Sequence, residues 1–314
     1  MSVAQVIDGR LVGAAFLDDP RLRRVLDALD GDGEEARVVG GAVRNALMGE
    51  PVTEVDVATT ATPDVMLARA KRAGLRAVPT GIDHGTITFI ADGEPFEATT
   101  LREDVETHGR HATVRFGRDF EADALRRDFT FNALSVDADG RLHDYTGGVA
   151  DARARRVRFI GDAATRIRED YLRILRFFRF QAAYGDGEID RDALHAAISL
   201  RAGMEGLSRE RVLAELVKLL GARGAPRVAS LMAETGILID VTGGVVHGAR
   251  LAACAAIADA RTADPALRLA AACVIVREDA ERLRARLRLS NAWENRLVKA
   301  ADALTPWRGR PAPP

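Results

Sequence analysis

In the first half of the chain, short apolar runs of strand length alternate with segments whose apolar residues recur at helical spacing. Glycine, proline and Asp-Gly pairs mark the ends of these segments, and Asp92-Gly93 predicts a hairpin turn. The pattern predicts strands at 37–40, 53–58, 85–90, 95–100 and 157–160, helices at 21–29, 41–48 and 63–73, a turn at 77–81 and a solvated loop at 101–122. We therefore expect a small mixed β-sheet with helices, preceded by a helical lead-in over residues 1–35.

The second half of the chain predicts helices throughout. A strongly amphipathic helix is expected over 167–180, and Ser208 is the expected N-cap of a helix that ends near Gly221. Further helices are expected from Pro226 and, over 250–304, three that include starts at Asp264-Pro265 and Ser290-Asn291. The predicted fold class is α+β, divided into a helical lead-in 1–35, a mixed-sheet head 36–160, a helical neck 161–221 and a helical body 222–314.

Composition and charge change this picture little. A length of 314 residues fits two domains, at about 100–200 residues each. The formal net charge of −1 does not indicate a nucleic-acid-binding protein, although residues 151–180 hold nine Arg against four acids. Residues 281–314 hold eight basic residues against three acids; this surplus could follow an RNA backbone, and a solvated helix face explains it at least as well.

The cysteines, histidines and chain start point to an ordinary intracellular protein. Cys254 and Cys273 lie in apolar, Ala-rich segments and are interpreted as buried small hydrophobic residues of a reducing compartment. His108 and His111 could suggest a metal site, but loop histidines are more often surface residues. The first residues lack the features of a signal peptide, and no apolar run approaches ~18 residues. We expect a soluble cytoplasmic protein without a membrane span, and its oligomeric state stays open.

A diglycine turn followed by paired acids is the first candidate for chemistry. Gly40 and Gly41 end a predicted strand and would let backbone N–H groups approach an anion, while Arg44 could hold phosphate oxygens by a forked contact. Glu54 and Asp56 are two apart, so on a strand both carboxylates would leave the same face and could bind Mg²⁺. Each part alone is more often a simple turn or a solvated strand face. Their order along the chain indicates phosphoryl transfer from a nucleotide.

The helix predicted at 167–180 offers a second site. Asp170 and Arg173 are three apart and could read a base, because cytosine and adenine each carry an exocyclic amine beside a ring nitrogen that accepts a hydrogen bond. Guanine and uracil would instead turn an oxygen toward the carboxylate, which leaves polar groups unmatched. The structural alternative is a salt bridge between Glu169 and Arg173, worth only ~0.2–0.5 kcal/mol.

The diglycine and acidic stretch, Val38 to Thr59, closely resembles motif A of the class II CCA-adding tRNA nucleotidyltransferases and bacterial poly(A) polymerases, of the DNA polymerase beta superfamily. That pattern is Gly-Gly-x-Val-Arg-Asp followed by Asp-x-Asp. Asn45 stands where the family usually has Asp, and Glu54 stands where it usually has the first metal-binding Asp. The resemblance implies a polymerase beta-like head with Mg²⁺ held by Glu54 and Asp56.

Other motifs of the family match further along the chain. The run Arg126 to Leu134 resembles motif B, which implies that Arg127 grips the triphosphate and that Asp128 accepts a hydrogen bond from a ribose hydroxyl. Glu97 resembles the third catalytic carboxylate, although an exposed strand Glu explains it about equally well. Residues 169–173 resemble motif D, the protein template for CTP and ATP, and residues 207–212 resemble motif E. Arg176 and Arg179 resemble the additional phosphate and nucleotide contacts of the family.

The resemblance implies an enzyme that adds CMP and AMP to tRNA 3′ ends without a nucleic-acid template, with ATP, CTP and tRNA as its partners. A poly(A) polymerase, or a partial enzyme that adds only CC or only A, is the second interpretation. The segment Thr80 to Thr86 resembles CCA-adding members more than poly(A) polymerases, which favours the first. A non-catalytic RNA- or nucleotide-binding protein is the third, in which Glu54 and Asn45 mark decayed chemistry.

Overall fold

A computed structural model describes residues 3–108, 111–257 and 264–307, with side chains described outside residues 104–114. The chain forms two compact units, residues 1–162 and residues 163–314. The first unit combines a mixed sheet with helices and the second is built from helices, which confirms the predicted α+β class. The lead-in, neck and body divisions stay predictions.

The first unit contains eleven β-strands and five α-helices within its described residues. The strands are β1 (Gln5–Ile7), β2 (Arg10–Val12), β3 (Ala36–Val39), β4 (Asp56–Thr59), β5 (Arg76–Gly81), β6 (Thr86–Ala91), β7 (Glu94–Thr100), β8 (Arg102–His108), β9 (His111–Phe116), β10 (Ser135–Asp137) and β11 (Leu142–His143). The helices are α1 (Pro20–Leu29), α2 (Gly41–Met48), α3 (Pro63–Arg72), α4 (Phe120–Leu125) and α5 (Gly148–Arg153).

Seven of these strands form one mixed sheet in the order β11-β10-β3-β4-β7-β6-β5. β4 and β7 run parallel, and the other neighbouring pairs are antiparallel. Helices α1 and α3 pack on β6, and the buried α1 side chains Leu22, Leu26 and Leu29 belong to that apolar layer. The sheet therefore presents the ends of β3, β4 and β7 side by side, where the chain carries its candidate chemistry.

Some predicted elements of this unit were wrong. Residues 1–35 are not wholly helical, because an Asp8-Gly9 turn with positive φ at both residues makes β1 and β2 a hairpin. The turn expected at 77–81 is part of β5, an edge strand whose pairing shifts between Val78 and Gly81. An edge strand tolerates Pro79, which explains the wrong prediction.

Two more predictions failed for reasons of pattern. The solvated loop expected at 101–122 contains the β8–β9 hairpin and the start of α4. The strands were missed because their residues are too polar to show an apolar alternation. The side chains of His108 and His111 lie outside the described residues. The strand expected at 157–160 makes only an isolated bridge, between Phe159 and Phe129, whose rings lie 4.6 Å apart.

The second unit is helical throughout its described residues. Its helices are α6 (Ala163–Glu169), α7 (Leu172–Ala183), α8 (Arg191–Ser199), α9 (Arg209–Gly221), α10 (Ala225–Glu234), α11 (Ile237–Thr242), α12 (Gly248–Ala256), α13 (Pro265–Cys273), α14 (Arg277–Leu287) and α15 (Asn291–Leu304). Ser208 caps α9 as predicted, and the predicted helix starts at Asp264 and Ser290 are confirmed. All three side chains accept a hydrogen bond from the first turn of their helix, α9, α13 and α15 respectively. Four helices rather than three occupy 248–304.

The single helix expected at 167–180 is two helices. α6 ends at Glu169 and α7 begins at Leu172, so Asp170 and Tyr171 lie in the break. The Asp170 carboxylate accepts the N–H of Leu172 at 3.1 Å, which stabilises the start of α7 in place of a continuous helix. α7 then packs against α9 and α10 through its buried apolar residues.

Within the residues described here, no helix is both long enough and apolar enough to cross a membrane.

Candidate active site

Three carboxylates meet in one groove of the first unit. Asp56 is the first residue of β4, and its backbone partner on the parallel strand β7 is Glu97, so the two side chains leave the same face of the sheet. Glu54 lies before β4 rather than on it, so the strand argument that paired it with Asp56 was wrong. Glu54 nevertheless lines the same groove of about 760 Å³ with Asp56 and Glu97.

The crowding of these acids has an electrostatic consequence. Burial raises the pKa of Asp56 above its ordinary value, and the neighbouring charges of Glu97 and Glu54 raise it further. The positive charge of Arg127 acts in the opposite direction on the same carboxyl group. A cation would relieve the repulsion among these acids, and the guanidinium of Arg127, from another segment, lies within electrostatic range of Asp56.

The diglycine turn is shaped as expected. Gly40 has φ +67 and precedes α2, while its N–H donates to the Leu134 carbonyl at 2.9 Å. A Cβ on Gly40 would lie 3.3 Å from Nη1 of Arg127 and 3.5 Å from the Asn132 carbonyl oxygen, and the same position has a left-handed backbone. Gly41 begins α2, and a Cβ there would lie 3.7 Å from Nη2 of Arg44. The turn thus brings both predicted phosphate-binding arginines close to the backbone at the N-terminus of α2.

Asn132 connects the two predicted nucleotide motifs. Arg44 is buried and donates from Nη1 to Oδ1 of Asn132 at 2.5 Å, and it donates from Nε and Nη2 to Oδ1 of Asn45 at 3.0 and 2.8 Å. Nδ2 of Asn132 in turn donates to Oδ1 of Asp128 at 3.1 Å. A chain of hydrogen bonds therefore fixes Arg44 relative to Asp128, 84 positions later in the sequence.

Asp123 orients the arginine pair of the second motif. Its buried carboxylate accepts from Nε and Nη2 of Arg127 at 3.2 and 3.0 Å, and from Nε of Arg126 at 2.9 Å. Burial opposes the ionisation of Asp123, but the charges of Arg127 and Arg126 outweigh it and lower its pKa. Arg127 is consequently held rigidly, with Nη1 also directed to the Asn132 carbonyl oxygen at 3.3 Å.

Sequence reasoning missed Asp123 and Asn132 as site residues. Asn132 stood within the matched run but received no role, and Asp123 stood between the solvated loop expected at 101–122 and the run that begins at Arg126. Their partners follow from the fold, so sequence spacing alone carried little signal. The only local signal was Asp123 four residues before Arg127, at the i,i+4 spacing of helical ion pairs.

The predicted base-reading residues lie in the second unit, each in its own ion pair. Asp170 accepts from Nη2 of Arg211 at 2.6 Å, and Arg173 donates from Nη1 to the Arg166 carbonyl at 2.8 Å and to Glu169. The expected arrangement of Asp170 and Arg173 on one face of one helix was wrong, because Asp170 precedes α7. The structure does contain the Glu169–Arg173 salt bridge that was the structural alternative.

Arg176 and Arg179 lie one and two turns further along α7. Arg179 donates from Nε to the buried Glu215 of α9 at 2.5 Å, and Arg176 lies 3.8 Å from the same carboxylate. Both guanidinium groups also lie over the ring of Phe180, at 5.5 Å for Arg176 and 3.8 Å for Arg179. These contacts hold α7 to α9, and the predicted phosphate contacts stay a prediction.

Comparison with known proteins places this geometry in a family. Residues 36–158 match the family described as the poly A polymerase head domain. A mitochondrial CCA tRNA nucleotidyltransferase 1 of Danio rerio is 46% identical over 206 residues, which is 65% of this chain and 48% of that protein. A CCA-adding enzyme of Bacillus licheniformis is 37% identical over 221 residues, covering 70% of this chain and 54% of the relative.

A solved structure decides the assignment. The crystal structure of the Bacillus stearothermophilus CCA-adding enzyme in complex with CTP is 32% identical, with a TM-score of 0.68 over 92% of this chain and 70% of that one. The chain belongs to the family of CCA-adding enzymes and poly(A) polymerases. It spans about half the length of the curated relatives it matches.

Asn45 and Glu54, the two departures from the family pattern, still provide oxygen atoms where the family has aspartates. Asn45 supplies a carbonyl oxygen to Arg44, the same kind of contact that an aspartate would make, and its Nδ2 donates to the Pro51 carbonyl at 2.7 Å. Glu54 keeps a carboxylate at the groove that Asp56 and Glu97 also line. Among the side chains that the structure describes, no cluster of three or more His, Cys, Asp or Glu forms a ready-made metal site. Members of this family generally use a divalent metal.

Proposed function

We propose that this chain is a nucleotidyltransferase that adds CMP and AMP to the 3′ ends of tRNA. The observation that carries the proposal is the convergence at Asp56, where the charges of Glu97, Glu54 and Arg127 act on one carboxyl group. Acids that need a cation, beside an arginine next to a diglycine turn, fit a site for a nucleoside triphosphate with its metal. The names of the relatives, which are CCA tRNA nucleotidyltransferases and CCA-adding enzymes, supply the substrate class.

The carboxylates of Glu54 and Asp56 are the proposed ligands of Mg²⁺. Mg²⁺ prefers hard oxygen donors and is often held by one or two carboxylates together with substrate phosphates, which suits a site with two such side chains. The structural observation that supports a cation there is that Glu54, Asp56 and Glu97 line one groove, because a bound cation would relieve the repulsion among the acids. When bound, Mg²⁺ would make the attacking RNA 3′-hydroxyl more acidic and would stabilise negative charge on the leaving pyrophosphate.

The protein groups around the acids would hold and orient the reactants. The turn at Gly40 would let the backbone N–H of Gly41, with Arg44 and Arg127, bind the triphosphate and so direct the pyrophosphate away from the attacking hydroxyl. Asp128, buried and fixed by Asn132, would accept a hydrogen bond from a ribose hydroxyl and so favour ribonucleotides. Glu97 would accept the proton of the RNA 3′-hydroxyl or support the metal ligands.

Asp170 and Arg173 are the proposed base-reading pair. The carboxylate would accept from the amine of cytosine or adenine, and the guanidinium would donate to the ring nitrogen. Arg176 and Arg179 are proposed to contact the nucleotide from further along α7. Replacing Asp170→Ala should therefore relax the selection of CTP and ATP against UTP and GTP, measured as relative kcat/KM. Unchanged selectivity would rule out this base-reading role.

Incubation with tRNA that lacks its terminal CCA tests the function. The protein, Mg²⁺ and this tRNA are incubated with labelled CTP, with labelled ATP, or with both nucleotides. The products are resolved at single-nucleotide length. We expect two C residues followed by one A. A long tail from ATP alone would identify a poly(A) polymerase, one nucleotide type alone would identify a partial enzyme, and no incorporation would favour a binding protein. Asn45 and Glu54, replaced singly by Asp, provide variants with the usual family residues.

A further inference from the structure

Arg211 occupies a position that helix electrostatics do not favour. It lies in the first turn of α9, where Ser208 caps the helix by accepting the Arg211 N–H at 3.4 Å. The N-terminus of a helix carries partial positive charge, so acidic side chains are stabilising there and a cation is not. The side chain must therefore be accounted for by what it contacts beyond its own helix.

That contact is the proposed base-reading acid. Nη2 of Arg211 donates to Oδ2 of Asp170 at 2.6 Å, and the two residues are 41 positions apart in the sequence. The other oxygen, Oδ1, accepts the N–H of Leu172 at 3.1 Å. The carboxylate is thus held by one donor from α9 and one from α7, which restricts its rotation about the Cβ–Cγ bond.

Two hydrogen-bond donors do not fill all the acceptor sites of the Asp170 carboxylate. An ionised carboxylate offers about four lone-pair sites, so about two remain for a ligand after Arg211 and Leu172 are bound. Both side chains are partly exposed, at 32% for Asp170 and 44% for Arg211. A base amine can consequently reach the carboxylate while the ion pair stays in place.

We propose that Arg211 is a positioning residue that sets nucleotide specificity by holding the Asp170 carboxylate in one orientation. This inference rests on the proposed function, in which Asp170 accepts from the base amine. An ionised carboxylate can only accept hydrogen bonds, so it rejects the carbonyl oxygen that uracil and guanine present. Without Arg211 the group can rotate away from the orientation that faces the base, and the rejection weakens.

The chain contains a matched control on the same helix. Glu210, next to Arg211, forms an ion pair with Arg288 at 3.1 Å, and both of those side chains are more exposed, at 64% and 70%. Replacing Arg288→Ala removes a cross-helix ion pair of similar type without touching Asp170. It therefore separates a general effect on α9 from an effect on the base-reading acid.

The test compares kcat/KM for CTP with that for UTP on tRNA lacking CCA. Arg211→Ala should lower this ratio roughly tenfold, whereas Arg211→Lys should keep most of it and Arg288→Ala should leave it unchanged. In an Asp170→Ala background, adding Arg211→Ala should change the ratio no further. The proposal is overturned if Arg211→Ala keeps the wild-type ratio, or if Arg211→Ala lowers the ratio in the Asp170→Ala background as much as it does in the wild type.

Equilibrium binding separates this inference from the proposed function. If the wild-type protein transfers no nucleotide, the proposed function fails, but calorimetric titration with CTP and with UTP still measures discrimination. A lower CTP-to-UTP affinity ratio in Arg211→Ala supports the role of Arg211, and an unchanged ratio refutes it. Far-UV circular dichroism of each variant confirms that the helices are intact.

Discussion

Asn132 joins the two halves of the proposed triphosphate site, so Asn132→Leu should damage binding without removing any charged group. The substitution keeps the branching and the number of side-chain heavy atoms but deletes the acceptor for Nη1 of Arg44 and the donor to Asp128. Hydrogen bonds to charged groups contribute about 1.5–3 kcal/mol each, and Arg44 keeps its contacts with Asn45. We therefore expect a combined loss of about 3–6 kcal/mol for the two bonds, shared between folding and transition-state binding.

Expressed as catalysis, the whole of that loss would lower kcat/KM for CTP by roughly 10²- to 10⁴-fold. The assay is steady-state incorporation of labelled CTP into tRNA lacking CCA, with the unfolding temperature measured in parallel. If both kcat/KM and the unfolding temperature of Asn132→Leu equal those of the wild type, the bridge between Arg44 and Asp128 has no energetic role and the reasoning is wrong.

Asn132→Asp provides the matched comparison. It keeps an acceptor for Arg44 but replaces the donor to Asp128, so two carboxylates would face each other at about the 3.1 Å that now separates Nδ2 from Oδ1. Repelling carboxylates of this kind share a proton more readily. We expect its activity, relative to wild type, to recover as pH falls, a pH response that Asn132→Leu should lack.

The remaining predictions concern charge and burial. Because folding raises the pKa of Asp56 above 3.8, its ionised form lowers the free energy of unfolding at neutral pH, and this destabilisation vanishes as pH falls below 3.8. The variant Asp56→Asn should therefore unfold at a higher temperature than the wild type in EDTA at pH 7, but its rate of nucleotide transfer should fall roughly 10²–10³-fold. Folding lowers the pKa of Asp123, so its ionised form stabilises the fold above pH 3.8, and this stabilisation is lost as pH falls through the lower folded-state pKa. The variant Asp123→Asn should lower the free energy of unfolding by about 3–5 kcal/mol at pH 7, measured by calorimetry, and this difference from the wild type should shrink in acid. Burial raises the pKa of Cys273 to about 12, whereas Cys254 is only half-buried, so a thiol reagent should label one cysteine in the native protein, two after denaturation, and none in native Cys254→Ser.

Local signals explain what could be predicted from the sequence. The order of β3, the diglycine turn and α2 was predictable because an apolar run, a glycine pair and a helical period are all contained within a few residues. The cap Ser208 and the helix starts at Asp264 and Ser290 were predictable for the same reason. Such features depend on the chain's immediate neighbours and not on its tertiary path.

Features that depend on distant partners could not be predicted. The hydrogen bond from Arg44 to Asn132 joins positions 88 apart, and that from Arg211 to Asp170 joins positions 41 apart. The helix break at Asp170 was hidden because the residues on both sides have a continuous helical period, so nothing in the periodicity marks the point where a side chain takes over a backbone contact.

The borders of the seven-stranded sheet bear on how the protein behaves at high concentration. One border is β11, only two residues long, and the other is β5, where Pro79 lacks an N–H and the pairing slips. Neither border offers a long, regular row of free donors and acceptors, so a second molecule finds no template on which to extend the sheet. The residue that made β5 look like a turn thus also protects the head against edge-to-edge aggregation.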